Sequence, residues 1–256
     1  MEQRDWNKDQ EYLLNTRKYF WNDDYLNFLV KNVWEINKPV KVIDFGCGFG
    51  YLGLKLLPIL PQGSSYTGID IAANLLEKGK ILFKELPYEY NFINADLTEY
   101  TPESEYDLAI CQAVLRHIPQ YDTVLRKMIA SVGVNGKVIC IEVNRRIENS
   151  GLYIYGEERN VFNNNDDEKK NEWLSELNSG GRDFLTGSKI PVLMEKFGLK
   201  DVSIRVNDYV EYVSPYSDDY NTHVADFAKE HGLRIDKQDI YATNVRGLLI
   251  SFGTKK

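Results

Sequence analysis

The sequence predicts an α/β domain with helices on both faces of a largely parallel sheet. Three observations carry this. Short β-branched apolar runs alternate with longer amphipathic stretches. Several of the runs end in an acidic residue. The first, residues 40–45, passes straight into Gly46, Gly48 and Gly50 ahead of a helical stretch at 51–60. Strand, glycine loop and helix N-terminus, in that order, form the usual seat of a nucleotide-like ligand in an open α/β sheet.

The chain has 256 residues, enough for one elaborated domain with a large core. Its 31 Lys+Arg against 38 Asp+Glu give a net charge of −7. That balance disfavours non-specific nucleic-acid binding, which rests on basic contacts to phosphate. The cysteines, Cys47, Cys111 and Cys140, lie in or beside apolar strands without metal-ligand spacing, as expected of buried thiols in a reducing compartment. No apolar run reaches membrane-spanning length, and the first nine residues are polar with mixed charge. The expectation is a cytoplasmic protein with no membrane association.

Residues 1–38 place Tyr12, Leu13, Tyr19, Phe20, Tyr25, Leu26, Leu29 and Val33 at helical spacings. They predict two helices broken near residues 21–24, with Asn22 or Asp23 as a cap. Packing on the sheet is the first expectation for these residues; a cap over a ligand, through Tyr12, Arg17, Tyr19 or Tyr25, is the second.

The glycine loop narrows the ligand. A dinucleotide fingerprint needs its third glycine at position 51, which is Tyr51, and no Gly-Lys-Ser/Thr follows for a phosphate loop. The pattern is instead Asp44-x-Gly46-x-Gly48-x-Gly50. It resembles the first motif of the class I S-adenosylmethionine-dependent methyltransferases. That resemblance implies a Rossmann-like, doubly wound sheet of seven strands with the last antiparallel. It also implies S-adenosyl-L-methionine as cofactor, with Asp44, Gly46, Cys47 and Gly48 among the residues that bind it.

The next elements follow that order. Residues 65–70 form a second strand ending in Asp70, which lies 20 residues beyond Gly50, the offset at which a carboxylate accepts from ribose hydroxyls. Asp70 would otherwise cap the following helix. By the resemblance, Ile71 and Leu75 flank the adenine. Residues 90–97 read as the third strand and its exit, and the resemblance gives Asp96 the adenine amino group and Leu97 the ring. Residues 106–112 are the fourth strand. Gln112 is the expected contact to the methionine moiety, and His117 in the segment after it is either a general base or a residue that holds the loop. An amphipathic helix at 121–132 and a turn at 134–136 lead into a fifth strand at 137–143. Glu142 and Asn144, at its end, are substrate-side candidates, although Glu142 also has Arg145 or Arg146 to pair with. Tyr155 is a third such candidate.

Composition changes at Asn149. Residues 149–187 are polar, with one short helix at 168–177, and are too long for a plain connection, so they are expected to cap the substrate end. A helix at 189–197 and a sixth strand at 199–206 resume the pattern. A second insertion, 207–239, sets Tyr209, Tyr212, Tyr216 and Tyr220 at spacings of three, four and four, with Pro215 against an unbroken helix. Residues 239–252 read as the last strand. The expected whole is one domain: an N-terminal cap (1–38), a cofactor core (39–148), a cap insertion (149–187) and the rest of the sheet (188–256). The expected reaction is in-line methyl transfer to an O, N, S or C nucleophile of a small molecule, without a metal. The alternative is a non-catalytic S-adenosylmethionine-binding module or partner subunit.

Overall fold

The computed structural model describes residues 20–102, 106–156, 165–231 and 239–256. The first N-terminal helix, with Tyr12, Arg17 and Tyr19, lies outside them. Helix α1 (Asp23–Phe28) continues into a π-helical turn at Leu29–Val33 and stops where Glu35 takes a positive φ. Strand β1 (Lys41–Phe45), helix α2 (Tyr51–Leu56), strand β2 (Ser65–Asp70), helix α3 (Ala73–Phe83) and strand β3 (Glu89–Asn94) follow. Strand β4 (Tyr106–Gln112) leads through a 3-10 turn at Leu115–His117 to helix α4 (Tyr121–Ser131) and strand β5 (Val132–Val143).

Beyond β5 the chain runs through helix α5 (Arg145–Ser150), strand β6 (Leu152–Ile154), helix α6 (Asn165–Asn178) and helix α7 (Thr186–Lys196). Strands β7 (Lys200–Val206) and β8 (Val210–Val213), helix α8 (Tyr220–His231), strand β9 (Ala242–Val245) and strand β10 (Leu248–Thr254) complete it. The main sheet has seven strands in the order β3-β2-β1-β4-β5-β10-β7, with β10 antiparallel to both of its neighbours. The strand order reverses between β1 and β4, so their C-terminal ends open a crevice.

Alternate residues of the central strands feed two cores. Val42, Leu108, Ile110, Ile139 and Ile141 face α1 and α2, where Trp34, Leu26 and Leu56 are buried. Ile43, Phe45, Ala109, Cys111 and Val138 face α4 and α7, against Leu125, Met128, Ile190 and Met194. Burial on both faces is why these strands read as unbroken apolar runs.

Two expectations change. The stretch at 239–252 is two strands: β9 leaves the main sheet and pairs antiparallel with β6 and β8 in a second sheet of three strands. The two insertions therefore meet. Together with α8 they enclose a separate small core of Ile154, Val213, Val224, Phe227, Ala228, Ile240 and Ala242. The tyrosines of 207–239 do not share a helical face, since Tyr212 lies in β8 and Tyr220 begins α8. The turn at 134–136 is a bulge inside β5: the register jumps from Tyr106↔Val132 to Leu108↔Lys137, and Asn135 has a φ of 66°.

Candidate functional site

The crevice holds a cavity of about 720 Å³. Its floor is the loop between β1 and α2. Gly46 and Cys47 donate their backbone N–H groups to the carbonyl of Ile69, at 2.7 and 2.9 Å, which turns the chain sharply off β1. Gly46 sits at φ 76°, and a Cβ there would lie 2.6 Å from the Val114 methyls. Only glycine lets the segment after β4 come so close.

Asp70 is keyed into the same loop. One carboxylate oxygen accepts from Gly48 N and the other from Ala72 N, both at 2.8 Å. Each oxygen keeps a second acceptor position for a ligand hydroxyl. Burial raises its pKa, opposed by those amides. Asp44 lies deeper, 2% exposed, and accepts from the Tyr66 hydroxyl at 2.7 Å. Burial pushes its carboxyl up to about 7; the Tyr66 bond works against this and the charge of Asp70 adds to it.

Ile71, Leu75, Asp96 and Leu97 line the cavity beyond Asp70. Leu75 and Leu97 are buried, whereas Ile71 is half-exposed. Asp96 accepts from both the amide and the hydroxyl of Thr98 through one carboxylate oxygen. On the opposite side, Gln112 accepts at Oε1 from the Trp21 indole at 2.7 Å. Ala113, at φ 56°, then turns the chain so that Val114 and His117 also face the cavity. His117 Nε2 accepts from Arg116 Nε at 2.9 Å, a donor-only partner that occupies this nitrogen.

A wall comes from the cap insertion. Glu176 on α6 and Gly180, Gly181 and Arg182 after it line the cavity, and Glu176 pairs with Arg182 at 2.6 Å. The Asp183 amide donates to the Arg116 carbonyl, tying this wall to the segment after β4. Phe49, Tyr51, Thr98, Val114, Glu176 and Arg182 were not foreseen as lining residues; only Phe49 and Tyr51, inside or next to the glycine loop, carried a sequence signal.

Comparison with known proteins agrees with this arrangement. A model of a methyltransferase domain matches residues 13–204 of the 256. The chain belongs to the methyltransferase-domain family. Among curated relatives of this chain, the ubiquinone biosynthesis O-methyltransferase of Rickettsia felis is 26% identical over 140 residues, covering 55% of this chain and 56% of that protein. The protein of the same name from Hydrogenovibrio crunogenus is 30% identical over 120 residues, covering 46% and 48%. The chain thus spans about half the length of the curated relatives it matches. In solved structures the fold recurs in a Haloferax volcanii methyltransferase in complex with the Trm112 activator (TM-score 0.63, 12% identity, 98% of both chains). It recurs also in phosphoethanolamine N-methyltransferase 2 of Haemonchus contortus, solved with S-adenosyl-L-methionine (TM-score 0.60, 16% identity, all of this chain and 60% of that one).

The substrate-side candidates lie elsewhere than expected. Glu142 is fully buried beneath the segment after β4, where its Oε1 accepts from the amides of Val114 and Leu115 at 2.9 and 2.8 Å. It braces that segment from behind and does not line the cavity. Burial raises its pKa against those two amides. Asn144 caps α5, its Oδ1 accepting from Arg146 N and Ile147 N, and its Nδ2 donates to Ser188. Tyr155 is 72% exposed on the small sheet with its ring against Tyr241, also away from the cavity lining. A position at the end of a strand was legible; the direction in which the chain curls beyond it was not. Among the described residues no helix is long and apolar enough to cross a membrane.

Proposed function

We propose that this chain transfers a methyl group from S-adenosylmethionine to a small-molecule acceptor. One observation carries the reading: the glycine loop, Asp70, Asp96 and Gln112 converge on a single cavity at the point where the strand order reverses. The groups present fit an adenosyl ligand with an amino-acid tail. Asp70 offers two acceptors for a vicinal diol, and Asp96 offers an acceptor for an adenine amino group beside the Leu97 backbone. Ile71 and Leu75 supply apolar walls for the base, while Gly46, Cys47, Gly48, Asp44 and Gln112 surround the tail. Bound there, S-adenosylmethionine supplies a methyl group on a positively charged sulfur to a nucleophile held in line with it.

The protein's part is alignment and exclusion of water. His117 lines the same space, but with Arg116 Nε on its Nε2 it serves as a fixed donor more readily than as a base. The acceptor then attacks as a free base; a hydroxyl acceptor must be acidic enough, as some phenols are, to release its proton to solvent near neutral pH. An oxygen nucleophile is the first choice, since the curated relatives are O-methyltransferases. The cap wall at Glu176 and Arg182 closes over the acceptor. Cytoplasmic location and independence of nucleic acid and metal are part of the same reading. Incubation with S-adenosylmethionine and a panel of phenols, amines and thiols should yield S-adenosylhomocysteine with one class. Saturable cofactor binding without turnover on any acceptor would favour the non-catalytic module.

A further inference from the structure

Trp21 stands just before α1, ahead of every cofactor motif in the sequence. It is nevertheless 4% exposed, and its indole nitrogen donates to Gln112 Oε1 at 2.7 Å. An indole N–H is a donor and nothing else, whereas a glutamine amide has one accepting and one donating end. The Trp21 contact therefore decides which end of the amide is engaged: the oxygen is held by the indole, which leaves the N–H donors for a ligand in the cavity that Gln112 lines. Trp21 is itself held. The carbonyl of its neighbour Phe20 accepts from Asn207 Nδ2 at 3.0 Å, and Asn207 is buried at the end of β7, its own amide donating to the Leu248 carbonyl. Tyr25, a turn later, donates its hydroxyl to the Val206 carbonyl at 3.1 Å. The N-terminal segment is thus pinned to the far half of the sheet, with Trp21 fixed over Gln112.

We infer that Trp21 is a positioning residue that turns the Gln112 amide so its N–H donors receive the carboxylate of the cofactor's amino-acid tail. This rests on the cofactor reading above. It adds that the tail is recognised through an anion-accepting amide whose direction is set from the N-terminal segment. An oxygen presented in place of that nitrogen would repel the carboxylate, so the orientation makes the difference between attraction and rejection.

Two ligands separate the parts. S-adenosylhomocysteine carries the tail; 5′-methylthioadenosine keeps the adenosine and sulfur but lacks the amino acid. Isothermal titration of the wild-type protein must first show binding of S-adenosylhomocysteine; if it does not bind, the cofactor reading itself fails. In Trp21→Phe, which keeps an aromatic ring and removes the N–H, S-adenosylhomocysteine should weaken about tenfold, while 5′-methylthioadenosine stays within about twofold of wild type, because the freed amide can turn its oxygen to the cavity and only the ligand with a carboxylate meets it. Equal weakening of both ligands, or of neither, overturns the inference, because a merely structural tryptophan would not distinguish them. Gln112→Glu provides the second test. It keeps an acceptor for the indole, so the fold persists, but presents an acid to the tail. It should lose S-adenosylhomocysteine by tenfold or more with 5′-methylthioadenosine unchanged. Retention of S-adenosylhomocysteine affinity in that variant also overturns the inference.

Discussion

At Asp44, burial and a hydrogen bond pull in opposite directions. Its folded-state pKa of about 7 stands well above the ordinary 3.8. Between those values the unfolded chain has lost a proton that the folded one keeps. The group's contribution therefore favours the folded state below about pH 4 and is lost as pH rises to about 7. Urea denaturation from about pH 5 to 7 should show a fall of at most about 1.4 kcal/mol per pH unit from this site, and Asp44→Asn should flatten it. An unchanged profile in the variant would remove Asp44 as the cause. A ligand ammonium set against Asp44 reverses the preference and expels the proton. Affinity for S-adenosylhomocysteine should then rise across neutrality, with proton release seen by calorimetry in buffers of different ionisation enthalpy. Asp70 acts through its acceptors, and Asp70→Ala should weaken cofactor binding by about 2–4 kcal/mol; unchanged affinity would sink the ribose assignment. His117→Ala should lower turnover less than the 10²–10⁴-fold typical of a lost general base and leave cofactor affinity intact. A variant that loses an ionisation near pH 7 from its rate profile would restore His117 as the base.

Helix α6 is tethered lightly. Leu174 and Leu177 are 45% and 37% exposed, and the holding contacts are Trp173 on the Phe184 ring at 5.7 Å and the Glu176–Arg182 pair. A helix with so little buried surface opens at low cost. Hydrogen exchange through residues 170–182 should be fast in the free protein and slow when cofactor and acceptor bind together. Slow exchange that ignores ligands would mean a fixed wall and shift acceptor selection to other parts of the cavity. The contrast with the central strands shows what a sequence displays. β1, β4 and β5 are buried on both faces, so apolarity alone announces them, and the glycines announce the loop because close approach forbids a side chain. β6, β8 and β9 are three or four residues each, paired across separations of roughly thirty and ninety residues, and their partners exist only once the fold brings them together. Trp21 and Arg182 were not legible for the same reason: neither sits in a local pattern, and tertiary packing alone brings Arg182 to the cavity and Trp21 to Gln112. Asp70 and Gln112 were legible because the motif that names them is also the geometry that places them.

Across the whole molecule, the small sheet is tied by buried charge to α5, the helix that leaves the main sheet after β5. Glu211 on β8 contacts His223 at 2.8 Å and Arg246 at 3.1 Å, and Arg246 reaches Glu148 on α5 at 3.5 Å, all within the interior. Removing one member leaves the others desolvated with less compensation. Glu211→Ala should cost about 3–5 kcal/mol in chemical denaturation, while S-adenosylhomocysteine affinity in the folded protein stays near wild type, since the cluster is remote from the cavity lining. A loss below about 1 kcal/mol would mean the two sheets hold together by other means. The position of β10 bears on synthesis. It lies inside the main sheet, between β5 and β7, although its residues are made after all the other strands. While a ribosome is still translating toward residue 248, β5 and β7 have no partner on their facing edges and the seven strands cannot close. At roughly 5–20 residues per second, the nascent chain spends several seconds with β5 completed and this slot empty, an interval in which a chaperone or another exposed strand edge can reach it first.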